Sequence, residues 1–142
     1  NTVVEGVLRL LRRQVDEARL ELRTEFTTTL PPVRLDRVQF EQVLTNLVLN
    51  AVAATPPGGR LHIATDVADG RVELSVSDTG HGIAPEHLRK IFQPFFTTKP
   101  PGVGTGLGLS VVHGIIKGHG GDIRVESAPG EGATFIITLP AA

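Results

Sequence analysis

The sequence predicts an α+β two-layer sandwich: a mixed, mostly antiparallel sheet with helices packed on one face. Three observations carry that expectation. Segments of alternating apolar residues come in pairs joined by glycine-bearing turns, as hairpins do. Segments of helical spacing fall between these pairs without the strict alternation of a parallel βαβ chain. The 142 residues suit one domain, 1–142, and a 40% hydrophobic content is enough for a real core.

Taken in order, Val3, Val4, Val7, Leu8, Leu10 and Leu11 follow helical spacing, with Arg12 and Arg13 near the helix end. Leu20, Leu22, Thr24 and Phe26 alternate with charged residues and read as a strand, which Pro31-Pro32 ends. The clearest helix follows. Phe40, Val43, Leu44, Leu47, Val48 and Ala51 form one apolar stripe, stopped by Thr55-Pro56-Pro57-Gly58-Gly59. Leu61, Ile63, Thr65 and Val67, then Val72, Leu74 and Val76, predict a hairpin turning at Ala68-Asp69-Gly70-Arg71. A short helix is expected from Pro85 to about Ile91, and residues 93–106, rich in Pro, Thr and Gly, read as a mobile loop. A helix from Leu107 to about His119 closes at Gly120-Gly121. Ile123 and Val125, a Pro129–Gly132 turn, then Phe135, Ile137 and Leu139 complete a second hairpin.

The net charge of −1 and the lack of a basic run give no basis for broad attraction to nucleic acid or anionic membrane. With no cysteine, there are no disulfides or thiolate metal sites. No apolar run approaches the length of a membrane span, so a soluble piece is expected. A start at Asn1 and the absence of methionine suggest a fragment of a longer protein, any membrane anchor of which would lie elsewhere. There is no GxxxxGK[ST], HExxH or GxSxG, and the glycine run follows a Pro/Thr-rich loop where a Rossmann fingerprint would follow a strand.

Three places carry chemistry. Asn46 and Asn50 lie four apart on one face of the clearest helix, with Gln42 a turn earlier. They form either a solvent-facing edge or a set of amide oxygens for a hard cation such as Mg²⁺. Asp78 shares parity with Val72, Leu74 and Val76, so it points toward the apolar side, ahead of Thr79-Gly80-His81-Gly82. It either caps a turn or accepts a hydrogen bond from an adenine amino group. Gly102 to Gly108 lead into a helix, where free N–H groups and the positive helix end suit phosphate, with Lys99 adding a point charge. His81 is expected to be exposed; His113 and His119 read as surface or packing residues.

These places occur in an order that resembles the boxes of histidine kinases across nearly the whole chain. Phe40-Glu41-Gln42-Val43-Leu44-Thr45-Asn46-Leu47-Val48-Leu49-Asn50-Ala51 resembles the N box, and Asp78-Thr79-Gly80-His81-Gly82-Ile83 the G1 box. Ile91-Phe92-Gln93-Pro94-Phe95-Phe96-Thr97-Thr98-Lys99 resembles the F box, and Gly104-Thr105-Gly106-Leu107-Gly108-Leu109-Ser110 the G2 box. Gly120-Gly121 and Ser127-Ala128-Pro129-Gly130 are also in keeping with the family, and the style is most similar to the nitrogen-regulation-like subgroup.

The resemblance implies the Bergerat fold of the GHKL superfamily, which gyrase-type ATPases, Hsp90 and MutL share, with ATP and Mg²⁺ as cofactors. Asn50 would hold the metal beside Asn46, and Asp78 would recognise adenine in a pocket shaped by Gly80, Gly82 and Ile83. Residues 93–106 would form a lid hinged by the F-box phenylalanines. Phe95, Thr98, Lys99, Gly104, Thr105, Gly106, Leu107, Gly108 and Leu109 would line the site, and Asn46, Asn50 and Lys99 would carry catalysis. Thr134 would support the adenine-binding Asp78.

Asn46 stands where the ATPase branches place a water-activating Glu, so transfer to a histidine is expected in preference to hydrolysis. The first histidine, His62, lies in a strand. The phosphoacceptor and dimerisation helices are therefore expected on a separate segment, and the fragment alone should not phosphorylate itself. A response regulator, a homodimeric parent and a cytoplasmic location are implied alongside. Ala53 stands where many relatives carry a basic residue, which keeps open a degenerate nucleotide-binding module. A gyrase-type ATPase clamp is the third reading.

Overall fold

The computed structural model describes residues 1–88, 90–93 and 108–142. Residues 94–107 contain the glycine run and most of the expected lid. Phe95, Thr98, Lys99, Gly104, Thr105, Gly106 and Leu107 thus lie outside the described residues.

Five strands form one sheet: β1 Glu21–Phe26, β2 Arg60–Ala68, β3 Arg71–Asp78, β4 Asp122–Ser127 and β5 Ala133–Pro140. Their order is β1-β2-β3-β5-β4; β1 pairs with β2 in parallel, and every other pairing is antiparallel. This is the mixed, mostly antiparallel sheet expected from the sequence. Strand alternation explains the layering. Val72, Leu74, Val76 and Asp78 of β3, and Ala133, Phe135, Ile137 and Leu139 of β5, point to the buried side.

That side is covered by helices α1 Thr2–Glu17, α2 Arg37–Ala54 and α4 Gly108–Gly118; the one-turn α3 is Pro85–Leu88. Phe40, Val43, Leu44, Leu47, Val48 and Ala51 are the buried residues of α2, the same stripe that the 3.6-residue period marks. Asp36 caps α2, its carboxylate accepting the Gln39 N–H at 3.0 Å.

Both predicted hairpins form. The first turns on Asp69 and Gly70, both at positive φ as a two-residue hairpin loop requires. Helix α4 ends in a Schellman closure: Gly120 adopts φ 75°, its N–H donates to the Lys117 carbonyl, and the Gly121 N–H donates to the Ile116 carbonyl, each at 3.0 Å.

Two boundaries differ from the sequence reading. Helix α1 continues past Arg12 and Arg13 to Glu17, because Val15 adds another buried turn and Arg12–Asp16 and Arg13–Glu17 pair across i,i+4. The helix at Pro85 is regular only to Leu88. Beyond it the Lys90 and Ile91 N–H groups both donate to the His87 carbonyl, a tightened turn that brings Ile91 into the core.

Candidate functional site

The site is assembled around the end of β3. Asp78 closes that strand on its buried face and is 9% exposed. Its Oδ1 accepts the Gly80 N–H at 2.8 Å, and Ala133 is its register partner across the sheet. Burial nevertheless pushes the Asp78 carboxyl above the ordinary range; the Gly80 and Ala133 N–H groups and His81 only partly oppose it. A carboxylate with this support can accept a further donor, such as an exocyclic amine.

The loop after Asp78 is clamped on two sides. The His81 N–H donates to the Ala54 carbonyl at 3.2 Å, which ties the loop to the end of α2. On the other side the Gly130 N–H donates to the His81 carbonyl at 2.7 Å, and the Ile83 N–H to Ser127 Oγ at 2.8 Å. Ser127 Oγ in turn donates to the Gly132 carbonyl at 2.7 Å. These contacts leave no room for a Cβ at three places: at Gly80 it would collide with the Ala54 carbonyl, at Gly82 with the Ala128 carbonyl, and at Gly132 with the Asp78 carbonyl. Gly82 and Gly132 also hold positive φ, at 75° and 78°.

Asn46, Asn50 and Ala54 recur at i, i+4 and i+8 and so share one face of α2. Both ends of that row are anchored. Asn46 Nδ2 donates to the Gly108 carbonyl at 3.2 Å, and Ala54 takes the His81 N–H. Asn50 therefore sits between the Asp78 loop and the first described residue of α4, on a row about 12 Å long. Leu109, the next residue, packs against the core. Phe92 stacks against His113 of α4 at 5.4 Å between ring centroids and meets Phe135 edge-on at 6.4 Å.

The structure thus brings together Asn46, Asn50, Asp78, Gly80, Gly82, Ile83 and Gly108. It does not bring Thr134 to the Asp78 carboxylate. Thr134 Oγ1 lies 3.0 Å from Ser77 Oγ on the opposite face of the sheet, and Ala133, one residue earlier, is the register partner of Asp78. Strand parity carried that signal: Phe135, Ile137 and Leu139 face the core, so Thr134 faces away. Ser127 and Ala54 clamp the loop through single contacts that no periodicity marks.

Among the described residues no group of three or more His, Cys, Asp or Glu side chains is placed to hold a metal, and no helix is long and apolar enough to cross a membrane. The side chains do fit a magnesium ion that is held mostly by phosphate oxygens and water, with one amide oxygen from the protein. Asn46 commits its NH₂ to Gly108, leaving its oxygen to accept.

Residues 35–142 match the family model described as "Histidine kinase-, DNA gyrase B-, and HSP90-like ATPase". The sensor histidine kinase ZraS of Escherichia coli (strain K12) is 41% identical over 140 residues, covering 99% of this chain and 30% of ZraS. The chain therefore spans less than a third of that relative. The catalytic domain of histidine kinase ThkA superposes with a TM-score of 0.87 at 37% identity, covering 99% of this chain and 91% of that one. ThkA has also been solved in complex with the response regulator TrrA, with a TM-score of 0.84 at 34% identity, covering 100% of this chain and 40% of that one. Full-length ShkA in complex with AMPPNP gives a TM-score of 0.88 at 32% identity, over 99% of this chain and 30% of that one. The sheet order, the Asp78 loop beside α2 and these matches agree, and the chain belongs to the histidine kinase-, DNA gyrase B- and HSP90-like ATPase family, as an ATP-binding catalytic domain of the histidine kinase type.

Proposed function

We propose that the chain binds Mg²⁺–ATP along the Asn46–Asn50–Ala54 row and donates the γ-phosphoryl group to a histidine on a separate dimerisation segment, with a response regulator as the next acceptor. One observation carries the reading. A buried carboxylate and a row of side-chain amides are held at fixed separation, because the Asp78 loop is hydrogen-bonded to the same helix that carries Asn46 and Asn50. The AMPPNP bound to ShkA and the response regulator bound to ThkA support the ligand and the partner.

In this reading Asp78 accepts the adenine amino group. Gly80 and Gly82 let the backbone approach the ring, and Ile83 lines the pocket. Asn50 offers its amide oxygen to the metal, with Asn46 beside it. Phe95, Thr98, Lys99, Gly104, Thr105, Gly106 and Leu107 close the lid over the phosphates, and Gly108 and Leu109 join the lid to α4. Magnesium, when bound, neutralises phosphate charge. The protein's own contribution is to hold the chain of phosphates in line. Asn46 is an amide where a general base would be needed to activate water, which favours transfer over hydrolysis. The assembled kinase is cytoplasmic and homodimeric in this reading, with any membrane anchor outside these residues.

Calorimetric titration of a non-hydrolysable ATP analogue, with and without Mg²⁺, tests the nucleotide site. Magnesium-assisted binding that collapses in Asp78→Asn supports it. Supplying the dimerisation helix pair then tests transfer; bound Mg²⁺–ATP without phosphohistidine sinks the kinase reading. The exposed Ala53, one residue before Ala54 on α2, favours one alternative, a regulatory module that binds nucleotide without transferring it. Equal binding with no transfer to any histidine would select that module.

A further inference from the structure

Helices α2 and α4 run antiparallel, and side-chain hydrogen bonds tie them near both ends. At one, Asn46 Nδ2 donates to the Gly108 carbonyl at 3.2 Å. At the other, the Asp36 N–H, at the cap of α2, donates to His119 Nε2 at 2.9 Å, just beyond the end of α4. The spacings match. Asp36 to Asn46 is ten residues and Gly108 to His119 is eleven, about 15 and 16 Å along the two axes. Val43 and Leu47 of α2 and Val112 and Ile116 of α4 are all buried in the common core. This packing holds the two helices face to face. The hydrogen bonds from Asn46 and to His119 add directional constraints on that register.

The chemistry at His119 is specific to one protonation state. Its Nδ1 lies 2.8 Å from the Ile115 carbonyl, which can only accept, so Nδ1 carries the proton. Nε2 faces an N–H, so it must be the bare acceptor nitrogen. Both contacts are to backbone; the imidazolium could keep the first, but only the neutral ring with its proton on Nδ1 makes both. The Schellman closure at Gly120 fixes the chain where this ring projects. The charged groups around it are otherwise engaged. The Asp36 carboxylate caps Gln39, Lys117 pairs with Asp122, and Arg71 Nη2 donates to the Gly120 carbonyl at 3.2 Å.

We propose that His119 is a positioning residue: as a neutral imidazole it sets the lengthwise register of α4 on α2, and so the distance from Gly108 to the Asn46–Asn50 row. Protonation would turn Nε2 from acceptor to donor against the Asp36 N–H and release that tie. The functional half of this inference rests on the row being the nucleotide site; the structural half does not.

The test uses the 142-residue chain, with His119→Gln, which keeps an acceptor at similar reach without titrating, and His119→Asn, which is too short to reach Asp36. Hydrogen exchange of the Asp36 amide reads the tie directly. Protection is expected in the wild type and the Gln variant at neutral pH, and its loss in the Asn variant. Affinity for a non-hydrolysable Mg²⁺–ATP analogue reads the consequence. On acidification from about pH 8 to about pH 6, wild-type affinity should fall roughly tenfold more than that of the Gln variant. The Asn variant should be weak throughout. A protected Asp36 amide in the Asn variant, or the same pH profile for wild type and Gln variant, overturns the proposal. If the Asn variant does not fold, the comparison of wild type with the Gln variant still decides. Should the wild type bind no nucleotide, the proposed function fails, and Asp36 protection alone still settles whether the tie exists.

Discussion

Asp78 and Ala133 face each other in register across β3 and β5, and the Asp78 carboxylate takes the Gly80 N–H at 2.8 Å. The loop that follows Asp78 and the neighbouring strand meet at this carboxylate. They hold the carboxylate still while burial makes its charge costly. A group is thus maintained at that cost between α2 and the last hairpin.

Asp78→Asn keeps the size of the side chain and loses the charged acceptor. Nucleotide affinity should fall by about 2 kcal/mol or more, the range for a hydrogen bond to a charged group, while far-ultraviolet circular dichroism stays unchanged. Undiminished affinity measured by calorimetry would remove Asp78 from adenine recognition.

Acid should affect stability in a definite direction. The folded-state pKa of Asp78 lies above its ordinary value of 3.8, so the folded state binds this proton more tightly than the unfolded state. The contribution of Asp78 to stability is then fully present below the ordinary value and is lost as pH rises through the folded one. The melting temperature of the wild type, relative to Asp78→Asn, should rise as pH falls through that window. A flat difference across it would contradict the burial argument.

Gly82→Ala combines a positive φ with a collision against the Ala128 carbonyl. The left-handed conformation alone costs about 1–2 kcal/mol, and the collision adds to it, so a stability loss above about 2 kcal/mol is expected by denaturant titration. Gly70→Ala shares the positive φ but meets nothing within 4 Å. It should lose less than Gly82→Ala and leave nucleotide binding intact.

Asn50→Ala should abolish the gain in nucleotide affinity that Mg²⁺ confers and leave metal-free binding nearly unchanged. Chelation of the metal should reproduce the same loss in the wild type and change nothing in the variant. A variant that still responds fully to Mg²⁺ would place the metal elsewhere.

Leu47→Ala opens a cavity on the core side of α2, behind Asn46 and Asn50, where Leu47 is 1% exposed. Its cost should fall at about 2–5 kcal/mol in chemical denaturation, as for other buried leucines. Leu10→Ala, at 78% exposure on α1, should change stability by no more than about 0.5 kcal/mol.

Much of this molecule is legible along the chain because the governing signals are local and periodic. The spacing of Phe40 through Ala51 marks the buried face of α2, and the same period places Asn46 and Asn50 together on another face. Parity along β3 puts Asp78 with the core, and parity along β5 turns Thr134 away from it. Helix α1 runs longer than its apolar stripe signals, because Val15 lies a full turn beyond Leu11, among charged residues that mask the stripe. Ser127 gave no signal of its own. Its hydroxyl matters because the second hairpin folds it onto Ile83, 44 residues away in the chain.

By itself the sequence determined the elements, the buried faces and the row of asparagines, since each follows from side-chain period and turn chemistry within a few residues. The tertiary structure alone decided which elements meet. It paired β3 with β5, so that the Ala133 backbone reaches Asp78, and it laid α4 along α2, so that His119 reaches Asp36 and Asn46 reaches Gly108. Those contacts join residues 55 to 83 positions apart. Long-range pairings of that kind depend on how the whole core closes, a collective property of packing that no local window contains.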